Sequence, residues 1–240
     1  MELALVLSVF RWAPGSPERV QSYEVAPREG FTVLDALVEI QRRVDPTLAF
    51  RYACRVGMCG SCAMVVDGRE RWACRTLLGT PRAAVTVRPL YHFPLIRDLV
   101  VDMTPFAARL RAAGAAFVPR EGPLEFAEVP GDGAERQVID AAVECIGCGM
   151  CVSACTMVAH DARFPGPAAL NRAFALQADS RDAGRAARAA LIASEDALLR
   201  CHTQANCTEV CPMEISPTQS ILALRRRAVG DLFRGPSRAP

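Results

Sequence analysis

The chain has 240 residues, enough for one large domain or for two small ones with separate cores. With 51% hydrophobic and 22% charged residues and a formal net charge of +2, it is not a disordered chain, and no nucleic-acid partner is expected. No apolar run reaches the roughly 18 residues of a membrane span. Met1-Glu2-Leu3-Ala4 puts an acid where a secretory leader is positive, with no A-x-A site behind it, so the chain is expected in the cytosol or on a membrane face open to it. All 28 basic residues are Arg, which reads as coding bias rather than function.

Leu3 to Arg11 has a buried-strand pattern, Pro14-Gly15-Ser16-Pro17 reads as a turn, and Val20 to Val25 completes a hairpin. Thr32 offers an N-cap with Asp35 three residues on, and Val33, Leu37, Ile40 and Val44 recur behind it at helical spacing. Short strands are predicted at Ala63 to Val66 and Ala84 to Val87, with Asp67-Gly68 as a turn. The sum is a small mixed sheet crossed by one helix and carrying a long cysteine loop. From Thr104 the character changes. Thr104-Pro105, Gly166-Pro167 and Ser216-Pro217 each place proline at a helix start, and Gln219 completes a capping box with Ser216. Residues 119 to 133, rich in Pro, Gly and Glu, form an exposed excursion between helices, and strand signal nearly vanishes after residue 103.

Eleven cysteines in such a compartment are not explained by disulfides, and an odd count argues the same way, so metal is expected. Cys54, Cys59 and Cys62 are spaced C-x4-C-x2-C, and Cys74 follows after eleven intervening residues. That is the plant-type ferredoxin spacing for a [2Fe–2S] cluster. Gly57, Gly60 and Ser61 sit among these ligands, small enough to let main-chain N–H groups approach the sulfurs. A zinc site is the alternative, although zinc knuckles prefer paired C-x2-C units.

Cys145, Cys148, Cys151 and Cys155 form C-x2-C-x2-C-x3-C, the bacterial ferredoxin run whose last member serves the other cluster of a pair. The second run is Cys201, Cys207 and Cys211-Pro212, at matching offsets except that Gln204 holds the second position. Exchange assigns Cys145, Cys148, Cys151 and Cys211 to a [4Fe–4S] cluster, and Cys155, Cys201 and Cys207 to the other. Three thiolates favour [3Fe–4S]; a cube with a non-cysteine ligand on its fourth iron is the competing arrangement. Every cysteine then has a duty. The expected fold class is α+β: an N-terminal plant-type ferredoxin (β-grasp) domain over 1–102, then an all-α bacterial-ferredoxin-like domain over 103–240.

Over about residues 3 to 232 the chain resembles the iron–sulfur subunit of the succinate dehydrogenase/fumarate reductase family. The residues that carry the likeness are Cys54-Arg55-Val56-Gly57-Met58-Cys59-Gly60-Ser61-Cys62, Pro94 to Asp102, Gly166-Pro167-Ala168-Ala169-Leu170 and Asp179-Ser180-Arg181-Asp182. The resemblance implies a flavoprotein partner with covalent FAD that exchanges electrons with succinate or fumarate. It also implies one or more membrane-anchor subunits with a quinone site. The chain would carry single electrons between the two, peripheral on the cytoplasmic face of the inner (cell) membrane. No acid, base or nucleophile constellation stands outside the cysteine runs, so no catalytic residue is expected in this chain. The clusters would do the redox chemistry.

In the family a histidine at the position of His202 lies beside the [3Fe–4S] cluster near the quinone, where it can donate to a quinone oxygen. Gln204 and His160 are the further candidates for that pocket. Ubiquinone-reactive relatives usually carry Pro where this chain has Thr156 and Trp where it has His160, which leaves room for menaquinone or another acceptor. Arg225-Arg226-Arg227 is read as charge near a helix C-terminus, with anionic lipid as the alternative. His92 is read as core or interface, and Met103 and Phe106 as helix packing. Rival functions are a free-standing ferredoxin and the electron-transfer subunit of a different flavoprotein dehydrogenase.

Overall fold

The structure, a computed structural model, describes residues 5–26, 28–78, 84–122 and 128–234. The strands are β1 (Leu5–Arg11), β2 (Arg19–Val25), β3 (Ala63–Val66), β4 (Arg69–Trp72), β5 (Ala84–Arg88), β6 (Leu95–Arg97) and β7 (Val100–Val101). The helices are α1 (Val33–Arg43), α2 (Thr104–Ala112), α3 (Ala134–Val143), α4 (Met150–Ser153), α5 (Thr156–His160), α6 (Pro167–Ala178), α7 (Arg185–Ile192), α8 (Asn206–Glu209) and α9 (Pro217–Arg234). The fold is α+β. The chain divides into two compact units: residues through Met103 with Ile146–Ala154, and Thr104–Cys145 with the residues from Cys155 onward.

In the first unit five strands pair in the order β2-β1-β5-β3-β4, with β1 and β5 parallel and the other neighbours antiparallel. The expected hairpin forms with Leu5 opposite Val25 and Arg11 opposite Arg19; Leu3, the expected first residue of its strand, lies outside the described residues. Helix α1 begins as its sequence suggests: the Asp35 N–H donates to the Thr32 hydroxyl, and the Thr32 N–H donates to the Asp35 carboxylate. Val33, Leu37 and Ile40 are buried in one apolar cluster with Leu7, Val9 and Val87. Val44 is not: the helix closes at Arg43 and Val44 is 62% exposed. Pro46 explains this, because it drives Asp45 out of the helical region.

Strand β4 was not expected, because Arg69-Glu70-Arg71 masks its pattern. It pairs with β3 through a two-residue turn, Asp67 (φ 51) and Gly68 (φ 75), whose paired positive φ matches the twist of a hairpin. Charges suit this place, since β4 is the sheet edge.

A buried guanidinium ties the turns of this unit together. Arg11, 2% exposed, donates to Asp98 (3.0 Å), Thr47 (2.8 Å), Gln21 (3.1 Å), Tyr23 and Asp45. Asp98 also accepts from the N–H groups of Trp12 and Ala49. The clamp therefore pins the 45–49 turn and the β6–β7 ribbon beside the start of the first cysteine loop. The Thr47 hydroxyl, with Arg11 and Tyr23, holds the Asp45 carboxyl well below its usual range. Burial and the bond to Asp45 push the Tyr23 hydroxyl up to about 12.

In the second unit α6 is buried along most of its length and packs against α2, α3, α7 and α9. Each expected proline start is realised, at α2, α6 and α9, and the Gln219 N–H donates to the Ser216 hydroxyl. Asn171 joins three helices: its amide donates to the Ala142 carbonyl, and its oxygen accepts from Ser220 at 2.8 Å. Arg188 and Asp182, 2% and 1% exposed, form a two-pronged ion pair at 3.0 Å, and Arg188 also donates to the carbonyls of Gly114 and Ala116. Residues 119–122 and 128–133 are mostly exposed; the rest of the expected excursion, 123–127, lies outside the described residues.

Two readings change. Helix α9 continues to Arg234, so Arg225, Arg226 and Arg227 are mid-helix rather than near a C-terminus. Arg225 and Arg227 bond backbone carbonyls at Leu198, Cys201 and Gln177. His92 is exposed, with φ 65, which removes the core half of its reading and leaves the interface half. Phe106 is buried as expected.

Candidate metal centres

None of the eleven cysteines, all of them among the described residues, is in a disulfide. In the first loop the N–H groups of Met58 and Cys59 both donate to the Cys54 sulfur at 3.3 Å, and that of Ser61 donates to the Cys59 sulfur at 3.5 Å. Arg55, Gly57 and Gly60 take positive φ, which turns successive N–H groups toward the concave side of the loop. Ser61 is the main cause that draws the Cys59 thiol down to about 6, while burial pushes Cys62 up to about 12 with Cys74 beside it. The loop thus favours anionic sulfur near its mouth and holds a sulfur pair at its base. Cys74 reaches that base because β4 runs straight into the turn Ala73–Arg75, where the Ala73 N–H bonds the Cys62 carbonyl at 3.1 Å.

Gly60 sits in the tightest place. A Cβ added there would lie 2.6 Å from the Cys148 Cβ and 3.0 Å from its Cα. Cys148 and Cys151 belong to the first unit with Ile146–Ala154, where Gly147 and Gly149 also take positive φ. The Ser153 hydroxyl donates to Glu70 on β4 at 2.7 Å and accepts from the Tyr91 N–H at 2.9 Å, fastening α4 to the sheet edge. Cys145 and Cys211 belong to the second unit, exposed and half-buried respectively.

Cys155, Cys201 and Cys207 share one neighbourhood in the second unit. Burial is the first cause that raises the Cys155 and Cys207 thiols; Cys155 is raised further by the sulfurs of Cys207 and Cys201, and Cys207 by that of Cys201. Opposing that, the N–H groups of Val158 and Met157 bond the Cys155 sulfur, the Thr218 hydroxyl meets the Cys207 sulfur at 3.4 Å, and the Thr203 N–H donates to Cys201 at 3.4 Å. Arg109 on α2 adds a positive charge close to Cys155. Arg225 donates to the carbonyls of Leu198 (2.6 Å) and Cys201, holding the approach to that cysteine. Gln204 is exposed, and its bond is with Thr156, whose hydroxyl donates to Gln204 Oε1 at 2.6 Å. His202 and His160 are both exposed, the latter in the last residue of α5.

Soft thiolates in pairs and threes, approached by N–H and O–H donors, fit iron–sulfur clusters, whose charge is held by such bonds. Among the described residues no three His, Cys, Asp or Glu side chains are grouped around one metal ion. The supporting residues Glu70, Arg109 and Thr218 escape sequence reading, because each acts on a sulfur or a cysteine-bearing turn elsewhere in the chain. A polar residue beside a cysteine run, such as Ser153 or Thr208, is the one local signal.

A chain built this way is an iron–sulfur protein of two ferredoxin-like parts. A family model for a 2Fe-2S iron-sulfur cluster binding domain matches residues 6–108, and one for a 4Fe-4S dicluster domain matches residues 141–215. The succinate dehydrogenase iron-sulfur subunit of Paracoccus denitrificans is 36% identical over 226 residues, 92% of this chain and 87% of the relative. The fumarate reductase iron-sulfur subunit of Mycobacterium tuberculosis is 37% identical over 221 residues, 90% of each. Among solved structures, a chain of the Mycobacterium smegmatis Sdh1 complex in the apo form matches with a TM-score of 0.87 at 28% identity, over 97% of this chain and 98% of that one. The chain belongs to the family of succinate dehydrogenase/fumarate reductase iron–sulfur subunits, which sets the rival readings aside.

Proposed function

We propose that this chain is the electron-transfer subunit of a succinate:quinone oxidoreductase, set between an FAD-containing flavoprotein and a quinone site at one or more membrane-anchor subunits. Cys54, Cys59, Cys62 and Cys74 would hold a [2Fe–2S] cluster. Cys145, Cys148, Cys151 and Cys211 would hold a [4Fe–4S] cluster, and Cys155, Cys201 and Cys207 a [3Fe–4S] cluster. When bound, these clusters supply one-electron redox chemistry. The chain's own residues space them, exclude water and place hydrogen-bond donors on their sulfurs. We assign residues 1–102 to a β-grasp domain and 103–240 to an all-α domain, with the subunit peripheral on the cytoplasmic face of the inner membrane. No helix among the described residues is long and apolar enough to cross a membrane. His202, Gln204 and His160 are the residues we place near the quinone.

The observation that supports the reading is the proximity of the Cys155, Cys201 and Cys207 sulfurs, together with Gln204 at the sequence offset where the first run has Cys148. The test is EPR on the complex purified with its native partners, oxidised and reduced, together with succinate:quinone activity. A three-iron signal in the oxidised sample and a two-iron signal in the reduced one are expected. A preparation inert toward both succinate and fumarate overturns the functional reading.

A further inference from the structure

Helix α9 starts beside α8, and at this junction four polar groups form a file that ends on one sulfur. The Gln219 N–H lies 3.4 Å from the Ser216 hydroxyl, which lies 3.2 Å from the Thr208 hydroxyl. The Thr208 hydroxyl donates to that of Thr218 at 3.0 Å, and Thr218 Oγ1 lies 3.4 Å from the Cys207 sulfur. Cys207 and Thr218 are 9% and 7% exposed, so water does not compete for the bond between them, while Thr208 and Ser216 are half-buried and Gln219 is exposed.

Each hydroxyl has a single hydrogen, and this settles the direction of the file. A metal-bound Cys207 is a thiolate with no hydrogen to give, so Thr218 must donate to it. Thr218 is free to do so because it accepts from Thr208. Thr208 has then spent its hydrogen, so Ser216 must donate to Thr208, while the backbone N–H of Gln219 donates to Ser216. All four donors point toward the sulfur, and along such a chain, buried at its sulfur end, each bond polarises the next.

We propose that Thr218 is a positioning residue for the cluster on Cys155, Cys201 and Cys207, and that the Ser216–Thr208–Thr218 hydroxyl chain raises that cluster's reduction potential through the Cys207 sulfur. The physical reason is charge. Reduction adds an electron, the sulfurs become more negative, and an aligned O–H donor stabilises the reduced form more than the oxidised one. The inference rests on the three-thiolate assignment proposed above.

The experiment is an EPR-monitored redox titration of the three-iron signal in the complex with its partner subunits, for the parent protein, Thr218→Val, Thr218→Ser and Thr208→Val. In Thr218→Val the oxidised-to-reduced ratio at a set potential should rise roughly threefold to tenfold, tenfold being about 59 mV for a one-electron couple. Thr218→Ser should titrate close to the parent. Thr208→Val keeps the Thr218–Cys207 contact but removes a hydroxyl that also lies within bonding reach of the Cys207 sulfur, and it should shift in the same direction. The [2Fe–2S] signal should keep its potential in every variant. A three-iron signal at the parent potential in Thr218→Val overturns the proposal. Should that variant lose the cluster, an unshifted Thr208→Val overturns it equally. Absence of a three-iron signal in the parent protein overturns the ligand assignment instead.

Discussion

Replacing Gly60 with Ala tests how closely the first cysteine loop must approach Cys148. Two costs are separable. Gly60 has φ 71, and an L-residue in that region costs roughly 1 kcal/mol. The new Cβ would also stand 2.6 Å from the Cys148 Cβ and 3.0 Å from its Cα. Ordinary carbon contacts lie at about 3.5–4.0 Å, so one segment must withdraw by about 1 Å, and no side-chain rotation relieves a clash with Cα and Cβ. Overpacking of this kind costs about 1–3 kcal/mol, giving a total of about 2–4 kcal/mol. Gly68→Ala is the matched control: its φ is 75, and nothing lies within 4 Å of the added Cβ. It should lose only the roughly 1 kcal/mol of backbone strain. The assay is thermal unfolding of the purified complex, followed by iron and sulfide content and the reduced [2Fe–2S] EPR signal. For a protein of this size about 3 kcal/mol corresponds to an apparent Tm about 6–12 °C lower. Equal effects from the two substitutions, with parent-like cluster content in both, would refute the close approach.

Arg188→Met leaves the Asp182 carboxylate buried without its partner and should destabilise the second unit by about 3–5 kcal/mol in denaturant unfolding; adding Asp182→Asn should recover part of the loss. Asp45, held below its usual range, contributes stability that is present above about pH 4 and is lost as pH falls toward its folded-state value. Urea midpoints of the parent protein should therefore fall on acidification below pH 4, and Asp45→Asn should flatten that dependence while lowering stability at neutral pH. Gln204→Cys would supply a thiol at the offset of the missing ligand and should convert the three-iron centre proposed above to a four-iron one. The oxidised-state EPR signal would disappear, and iron content would rise by about one per chain. Retention of that signal with unchanged iron would place the vacancy elsewhere.

Much of the site was legible because cluster ligation is written in local spacing. C-x4-C-x2-C and the two offset runs can be read without coordinates, since each loop must fold around its metal over a few residues. Helix starts were legible for the same reason: the Thr32–Asp35 cap and the prolines at 105, 167 and 217 act within one turn. Strand β4 was hidden because its identity comes from the partner strand and the edge position, which its three charges do not announce. Val44 misled because periodicity ran one step past a stop set by Pro46.

Residue types and their spacing therefore determined which sulfurs are available for metal and how many thiolates each proposed site has. Folding settled the environment of those sulfurs, and that depends on partners far along the chain. Glu70 meets Ser153 across 83 positions, and Arg225 meets the Cys201 carbonyl across 24. A hydroxyl's effect on a sulfur depends on distance and on the direction of a single hydrogen. Both are set where α9 packs against α8, so the Thr218–Cys207 contact has no counterpart in the cysteine pattern.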